Sequence, residues 1–166
     1  MSREFSVGFD GITLSGTGAV TLVFVNPAAA PKPNLEFLRM WVSQSAAATS
    51  AQQRVEVETQ VTAFPTLTTA TPRALKPADT NASFIVGGTA GAAGTCGTNA
   101  SAEGAGAKTV MFGDNFNVLN GYLWVATPRE TVVMPAGLAS GIGLYLPTAP
   151  SIALTNWAAG MNFGEV

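Results

Sequence analysis

From Arg54 to Thr62 the chain alternates, with Val55, Val57, Thr59 and Val61 on one side and Arg54, Glu56, Glu58, Gln60 and Thr62 on the other. A two-residue period puts successive side chains on opposite faces of an extended strand. The segment therefore predicts a strand with one core face and one wet face. A second alternation, Phe5, Val7 and Phe9 against Ser6 and Gly8, runs into Asp10-Gly11 and then Ile12-Thr13-Leu14. Asp-Gly accepts the positive backbone angles of a tight turn, so an opening hairpin is predicted there.

Shorter apolar runs bounded by turn residues predict strands at Val20–Val25, Leu35–Ser43, Val110–Phe112, Asn117–Val118, Tyr122–Ala126, Thr131–Met134, Ile142–Leu146 and Trp157–Phe163. Pro27, Pro31 and Pro33 break any helix after the second of the early strands. The Ala-rich stretch Ala46–Gln53 is the one place with helical propensity, and its short length makes it a loop. Two long segments have no period: Phe64 to Phe84, rich in Thr, Pro and Ala, and Gly87 to Ala107, almost wholly Gly, Ala, Thr and Ser. They read as surface loops or arms, ordered by a neighbour if ordered at all.

About eight to ten short strands in a chain of 166 residues fit one core. The expected fold is all-β: a single-domain β-sandwich spanning residues 1–166, jelly-roll-like, with long Gly/Ala/Thr-rich loops and an N-terminal arm or hairpin over about residues 1–14. Short hairpins mixed with long crossovers favour a jelly roll over an up-and-down barrel.

Charge changes the picture. Only 8 basic and 10 acidic residues are present, 11% of the chain, against roughly 25% in an ordinary soluble domain. Charged groups are costly to desolvate and are depleted at interface cores, so a thinly charged surface suits burial against other protein. The net charge of −2 and the lack of a basic cluster argue against a nucleic-acid partner. Mean hydropathy is +0.29, yet no apolar run approaches the roughly 20 residues that span a bilayer, so no membrane partner is expected. Met1-Ser2-Arg3-Glu4-Phe5-Ser6 has no basic region followed by an apolar run, which points to synthesis in a cytoplasm.

Candidate chemistry is thin. The chain has no histidine, which removes the commonest general base and metal ligand and every Ser-His-Asp or Cys-His arrangement. Cys96, the only cysteine, has no basic residue nearer in sequence than Lys108 to activate it. Glu56 and Glu58 share a strand face, and that polar face reads as solvated. Asp114-Asn115-Phe116-Asn117 could offer oxygen ligands but lacks the glycine and acidic residue of a calcium loop, and reads as a turn held by Asx hydrogen bonds. Gly87-Gly88, Gly91, Gly94 and Gly97 lack a Gly-Lys-Ser/Thr ending, so they do not form a phosphate-binding loop. Asn81-Ala-Ser83 and Asn99-Ala-Ser101 match the glycosylation acceptor pattern by coincidence. Trp41, Trp124 and Trp157 lie in predicted strands, where core filling is the ordinary role and sugar stacking the rarer one. No catalytic, cofactor-binding or metal-ligating residue is assigned, and no cofactor is expected.

Ser2-Arg3-Glu4-Phe5-Ser6-Val7, Phe9-Asp10-Gly11-Ile12-Thr13, Ser43-Gln44-Ser45, Pro72-Arg73-Ala74-Leu75 and Pro77-Ala78-Asp79 form a pattern. It continues in Phe116-Asn117-Val118, Thr127-Pro128-Arg129-Glu130, Gly143-Leu144-Tyr145-Leu146, Ala149-Pro150 and Phe163-Gly164-Glu165. Taken together it resembles small virion-associated proteins of tailed bacteriophages and prophages. The chain departs from that pattern at Ala46-Ala-Ala-Thr-Ser-Ala51, where similar proteins are more acidic.

The resemblance implies a virion structural protein without enzymatic activity, made in the bacterial host cytoplasm. The expected role is a capsid decoration (cement) protein on the outer surface of a phage head. Its expected partners are the major capsid protein and copies of itself, with a homotrimer favoured. Residues Met1–Phe9 and the long loops would reach across neighbouring shell subunits. The other expectation is a carbohydrate- or receptor-binding module of a fibre or tail tip, which requires a cleft with an exposed Trp and convergent polar groups.

Overall fold

The computed structural model of the protein describes residues 3–88 and 92–166. Met1, Ser2 and residues 89–91, which include parts of the expected arm and of the Gly-rich run, lie outside the described residues. Among the described residues there are thirteen strands and no helix.

The strands are β1 (Arg3–Ile12), β2 (Val20–Val25), β3 (Leu35–Gln44), β4 (Gln52–Val61), β5 (Thr66–Thr69), β6 (Arg73–Ala74) and β7 (Val86–Gly87). They continue with β8 (Thr95–Ala102), β9 (Ala107–Asn117), β10 (Tyr122–Val125), β11 (Val132–Met134), β12 (Ser140–Leu146) and β13 (Trp157–Glu165). One sheet, A, runs β10-β3-β13-β1-β6, with β11 also on β3; the other, B, runs β5-β8-β2-β12-β4-β9, with β7 on β8.

Eight strands form the framework. Sheet A takes β1-β13-β3-β10 and sheet B takes β2-β12-β4-β9, the double Greek-key winding of a jelly roll. The expected β-sandwich is therefore the observed one. Its core lies between the sheets and is built from Phe5, Leu22, Phe24, Phe37, Met40, Val55, Val57, Ile142, Leu144, Trp157, Met161 and Phe163, all essentially inaccessible. Alternation explains β3, where Leu35, Phe37, Met40 and Val42 turn inward and Glu36, Arg39, Trp41 and Ser43 outward. The register shift opposite Asn162/Phe163 restores that phase.

Three expectations are corrected. The opening hairpin does not form: β1 continues to Ile12, paired with β13 from Arg3 to Phe9 and again at Ile12, and Asp10-Gly11 is a bulge rather than a turn, with Gly11 at φ 64°. From Arg3 onward, then, the N-terminal segment is a strand of sheet A and not a free arm. The Gly87–Ala107 stretch is not a loop, because β8 runs through it, pairs with β2 and β5 and widens sheet B. Small residues are required there: a Cβ on Gly97 would lie 2.6 Å from Leu67 Cβ and 2.7 Å from Gly88 O. Asp114–Asn117 is the end of one long strand, β9, that also absorbs Val110–Phe112. The Asx hydrogen bond comes just after, with Leu119 N donating to Asn117 Oδ1 at 3.0 Å.

Candidate functional site

The polar side of β4 is not wet. Glu56, Glu58 and Gln60 point away from the sandwich core, yet all three are buried, with Glu58 only 1% exposed. The cover comes from the link between β8 and β9. Gly104 and Gly106 pack directly on the turn after β4, where Thr62 and Ala63 both adopt positive φ, and Gln60 Nε2 donates to Ala63 O at 3.0 Å.

Under this cover Lys108 is a hub. Its Nζ lies 2.8 Å from Glu58 Oε1 and 2.9 Å from Glu103 Oε2, and 3.6 Å from the centroid of the Tyr145 ring. Glu103 in turn accepts from Thr21 N and Thr21 Oγ1 at 2.5 and 2.7 Å, which ties β9 across β12 to β2. Burial raises the Glu58 carboxyl above its ordinary value, against the pull of Lys108. Burial alone would lower the Lys108 ammonium; the two carboxylates outweigh it and hold the amine protonated to higher pH. A lysine so held is neither a base nor a nucleophile, and the network does structural work. Arg54 adds an ion pair to Glu56 at 2.6 Å.

Cys96 is equally inert. It is buried against Ala70, with Sγ donating to the carbonyl at 3.0 Å, and burial pushes the thiol up to about 12. Asn99, in the second glycosylation-like triplet, is consumed by the fold. Its Nδ2 donates to Thr13 O and Ser15 Oγ, and its Oδ1 accepts from Ser15 N. No group of three or more His, Cys, Asp or Glu that could hold a metal occurs among the described residues.

Glu165, buried in β13, makes a second polar clasp. It accepts from Arg3 Nη2 at 2.5 Å, Ser83 Oγ at 2.6 Å and Phe84 N at 2.7 Å. The Phe84 ring lies 4.5 Å from the Arg3 guanidinium and 4.6 Å from Lys32 Nζ, so residues 82–85 are fastened over the start of β1.

The outward-facing features lie elsewhere. Phe112 stacks on Trp124 at 5.3 Å and Phe116 on Tyr122 at 6.2 Å, closing the sandwich between β9 and β10. Outside that seam Val110, Met111, Leu119, Leu123, Val125 and Val133 are exposed, half of all the exposed large apolar residues described. Leu123 and Val125 are 56% and 54% exposed and face outward from sheet A, opposite Trp41 and Arg39 of β3. Val133, opposite Glu36, continues the row. The outer edge of β9, an eleven-residue strand, has no strand partner among the described residues.

The three tryptophans divide. Trp157 is a core filler, Trp124 a half-buried part of the seam, and Trp41 lies on the outer face of sheet A, where it lines a cleft. The residues singled out in the sequence therefore do not converge on one place. The seam flank could not be read from sequence, because each of its apolar residues looks like a core position until the sheet edge is known. Comparison with protein-family models, with curated proteins and with solved structures gives no match.

Proposed function

We propose that the protein is a non-enzymatic virion structural protein, a decoration or cement subunit on the outer surface of a phage head. It acts as a homo-oligomer, with a trimer favoured, bound to the major capsid protein. The observation that carries this reading is the apolar flank of β9, β10 and β11, beside an unpaired long edge strand. Soluble monomers blunt such edges with charge, bulges or cover. Here β9 exposes Val110 and Met111 beside Thr109, Asp114 and Asn115, the neighbouring strands expose Leu123, Val125 and Val133, and the edge has a single bulge at Met111. A second copy of the chain is the occupant this flank fits best, because edge pairing between identical subunits satisfies the free backbone groups and buries both apolar rows. Sparse charge, 18 groups over a surface of 7723 Å², lowers the desolvation cost of a further contact with the shell.

Sedimentation of the purified protein, together with copy number on purified particles, tests the reading. The expected result is an oligomer, and particle occupancy at a stoichiometry comparable with that of the major capsid protein. A monomer absent from particles, or present at only a few copies per particle, overturns it.

A further inference from the structure

On the outer face of sheet A, a cleft of about 1000 Å³ opens between the strands and the segment that follows β5. That volume is at the upper end of the roughly 300–1,000 Å³ typical of small-molecule sites. Its floor is made of small residues, Ser6 and Gly8 of β1, Ser43 of β3 and Ala158 of β13. Thr69, Thr71 and Arg73 form one wall, and Trp41 forms the other.

The ring of Trp41 is laid down by glycine. A Cβ on Gly160 would sit 2.1 Å from Trp41 Cζ2, so the indole lies directly over that residue. Gly8, beside Gly160 in the paired strand, allows an equally close approach: its Cβ would meet Ala159 O at 2.4 Å. The guanidinium of Arg39 lies 5.6 Å from the ring centroid, within cation–π range, and Arg39 is itself exposed, so a ligand on the ring takes the place of a solvent-facing cation.

The polar groups around this platform are unspent. Asp10 and Arg73 make no side-chain hydrogen bond or ion pair among the described residues. Nor do the hydroxyls of Ser6, Ser43, Thr69, Thr71 and Thr98, all of which line the cleft, make side-chain hydrogen bonds. One carboxylate, two guanidiniums, those of Arg73 and Arg39, and several hydroxyls surround a flat aromatic face.

From this geometry we infer that the cleft binds a saccharide, with a pyranose ring on Trp41. The C–H groups on one face of a pyranose are slightly positive and pack on the negative face of an indole. Its hydroxyls can meet both an acceptor, Asp10, and a donor, Arg73. A flat apolar ligand would strand the hydroxyls of the cleft without partners. Leu123 of the apolar flank lies opposite Trp41, so the site borders that flank, while most of its polar lining comes from β1, β6 and the segment around the end of β5.

The test is saturation-transfer NMR on the whole protein. The probes are the methyl glycosides of glucose, galactose and N-acetylglucosamine and the corresponding trisaccharides. At least one probe is expected to bind and to shift the indole N–H of Trp41 but not those of Trp124 and Trp157. Trp41→Ala should weaken that binding at least about tenfold, and Asp10→Asn should weaken it less, both with unchanged circular dichroism. No binding by any probe, a shift confined to Trp124 or Trp157, or full binding by a folded Trp41→Ala variant would overturn the inference. If Trp41→Ala does not fold, the indole shift in the unaltered protein decides alone.

Discussion

The outer faces of the two sheets carry opposite solutions to the same problem. On sheet B, charged side chains project from β4, β9 and the β8–β9 link, and the molecule folds its own chain over them until Lys108, Glu58 and Glu103 satisfy one another. On sheet A, small and apolar side chains lie among the outward-facing Glu36, Arg39, Asp10 and Arg73, none of which makes an ion pair among the described residues. Covering charge demands complete pairing, because an orphaned buried ion is costly; leaving small and apolar groups bare costs little and keeps them free for a ligand or partner. The covered charge is thus structural, and the bare face is the one available for recognition.

The sharpest way to break this comparison is Lys108→Met. Removing the ammonium leaves Glu58 and Glu103 facing each other without a counter-ion, and urea unfolding should report a loss of about 3 kcal/mol or more. A loss below about 1 kcal/mol would mean that the covered face is in fact hydrated. Gly8→Ala should come next. Its Cβ meets backbone, at Ala159 O and at Gly160 Cα 2.8 Å away, so β1 and β13 must part, at a cost of about 1–3 kcal/mol in the same measurement.

Alkaline pH separates the interior from both faces. Burial raises the Cys96 thiol from 9.0 to about 12. Between these values the unfolded chain loses the proton and the folded chain keeps it, so stability falls as pH rises. Burial likewise raises the hydroxyls of Tyr122 and Tyr145. Lys108, raised by its carboxylates despite burial, stabilises fully below its unfolded value of 10.5 and loses that contribution above its folded one. All four act in one direction. Melting temperature should decline steadily above pH 9, and Cys96→Ala should decline less steeply between pH 9 and 12; parallel curves would remove the thiol from the account.

The smallest effect on folding belongs to the bare flank. Leu123→Lys with Val125→Lys should leave unfolding within about 0.5 kcal/mol of the parent while lowering the sedimentation mass to that of a monomer. Unchanged association would move the oligomer contact elsewhere.

Much of the framework was legible in the chain. Val20–Val25, Leu35–Ser43, Ile142–Leu146 and Trp157–Phe163 carry enough branched and aromatic residues to announce strands, and the structure extends most of them by only a residue or two. What failed did so for physical reasons. β8 is hidden because Gly97, Asn99 and Ala100 have weak strand preference, and the glycine at 97 is demanded by close neighbours in space and not by local propensity. The alternation in β4 identified its two faces correctly but could not say what would cover the polar one, since Glu103 and Lys108 come from more than forty residues further along. Asp10-Gly11 read as a turn because a bulge and a tight turn ask for the same positive φ. Trp41 was placed in the right strand, and only Gly160, far away in sequence, shows that it lies on the outer surface.

The pairing of Arg3 with Glu165 has a kinetic consequence. β1 finds its long partner in β13, and β2 finds one of its partners in β12, so β1 and β2 wait for residues 140–165 before either sheet can close. Contacts this distant in sequence set folding on the slow side, in the millisecond-to-second range of β-sandwiches, and they postpone closure of the sandwich until β13 has been made. During that wait the apolar strand Val20–Val25 stands exposed, and a nascent chain halted before β12 would be the form most prone to aggregate.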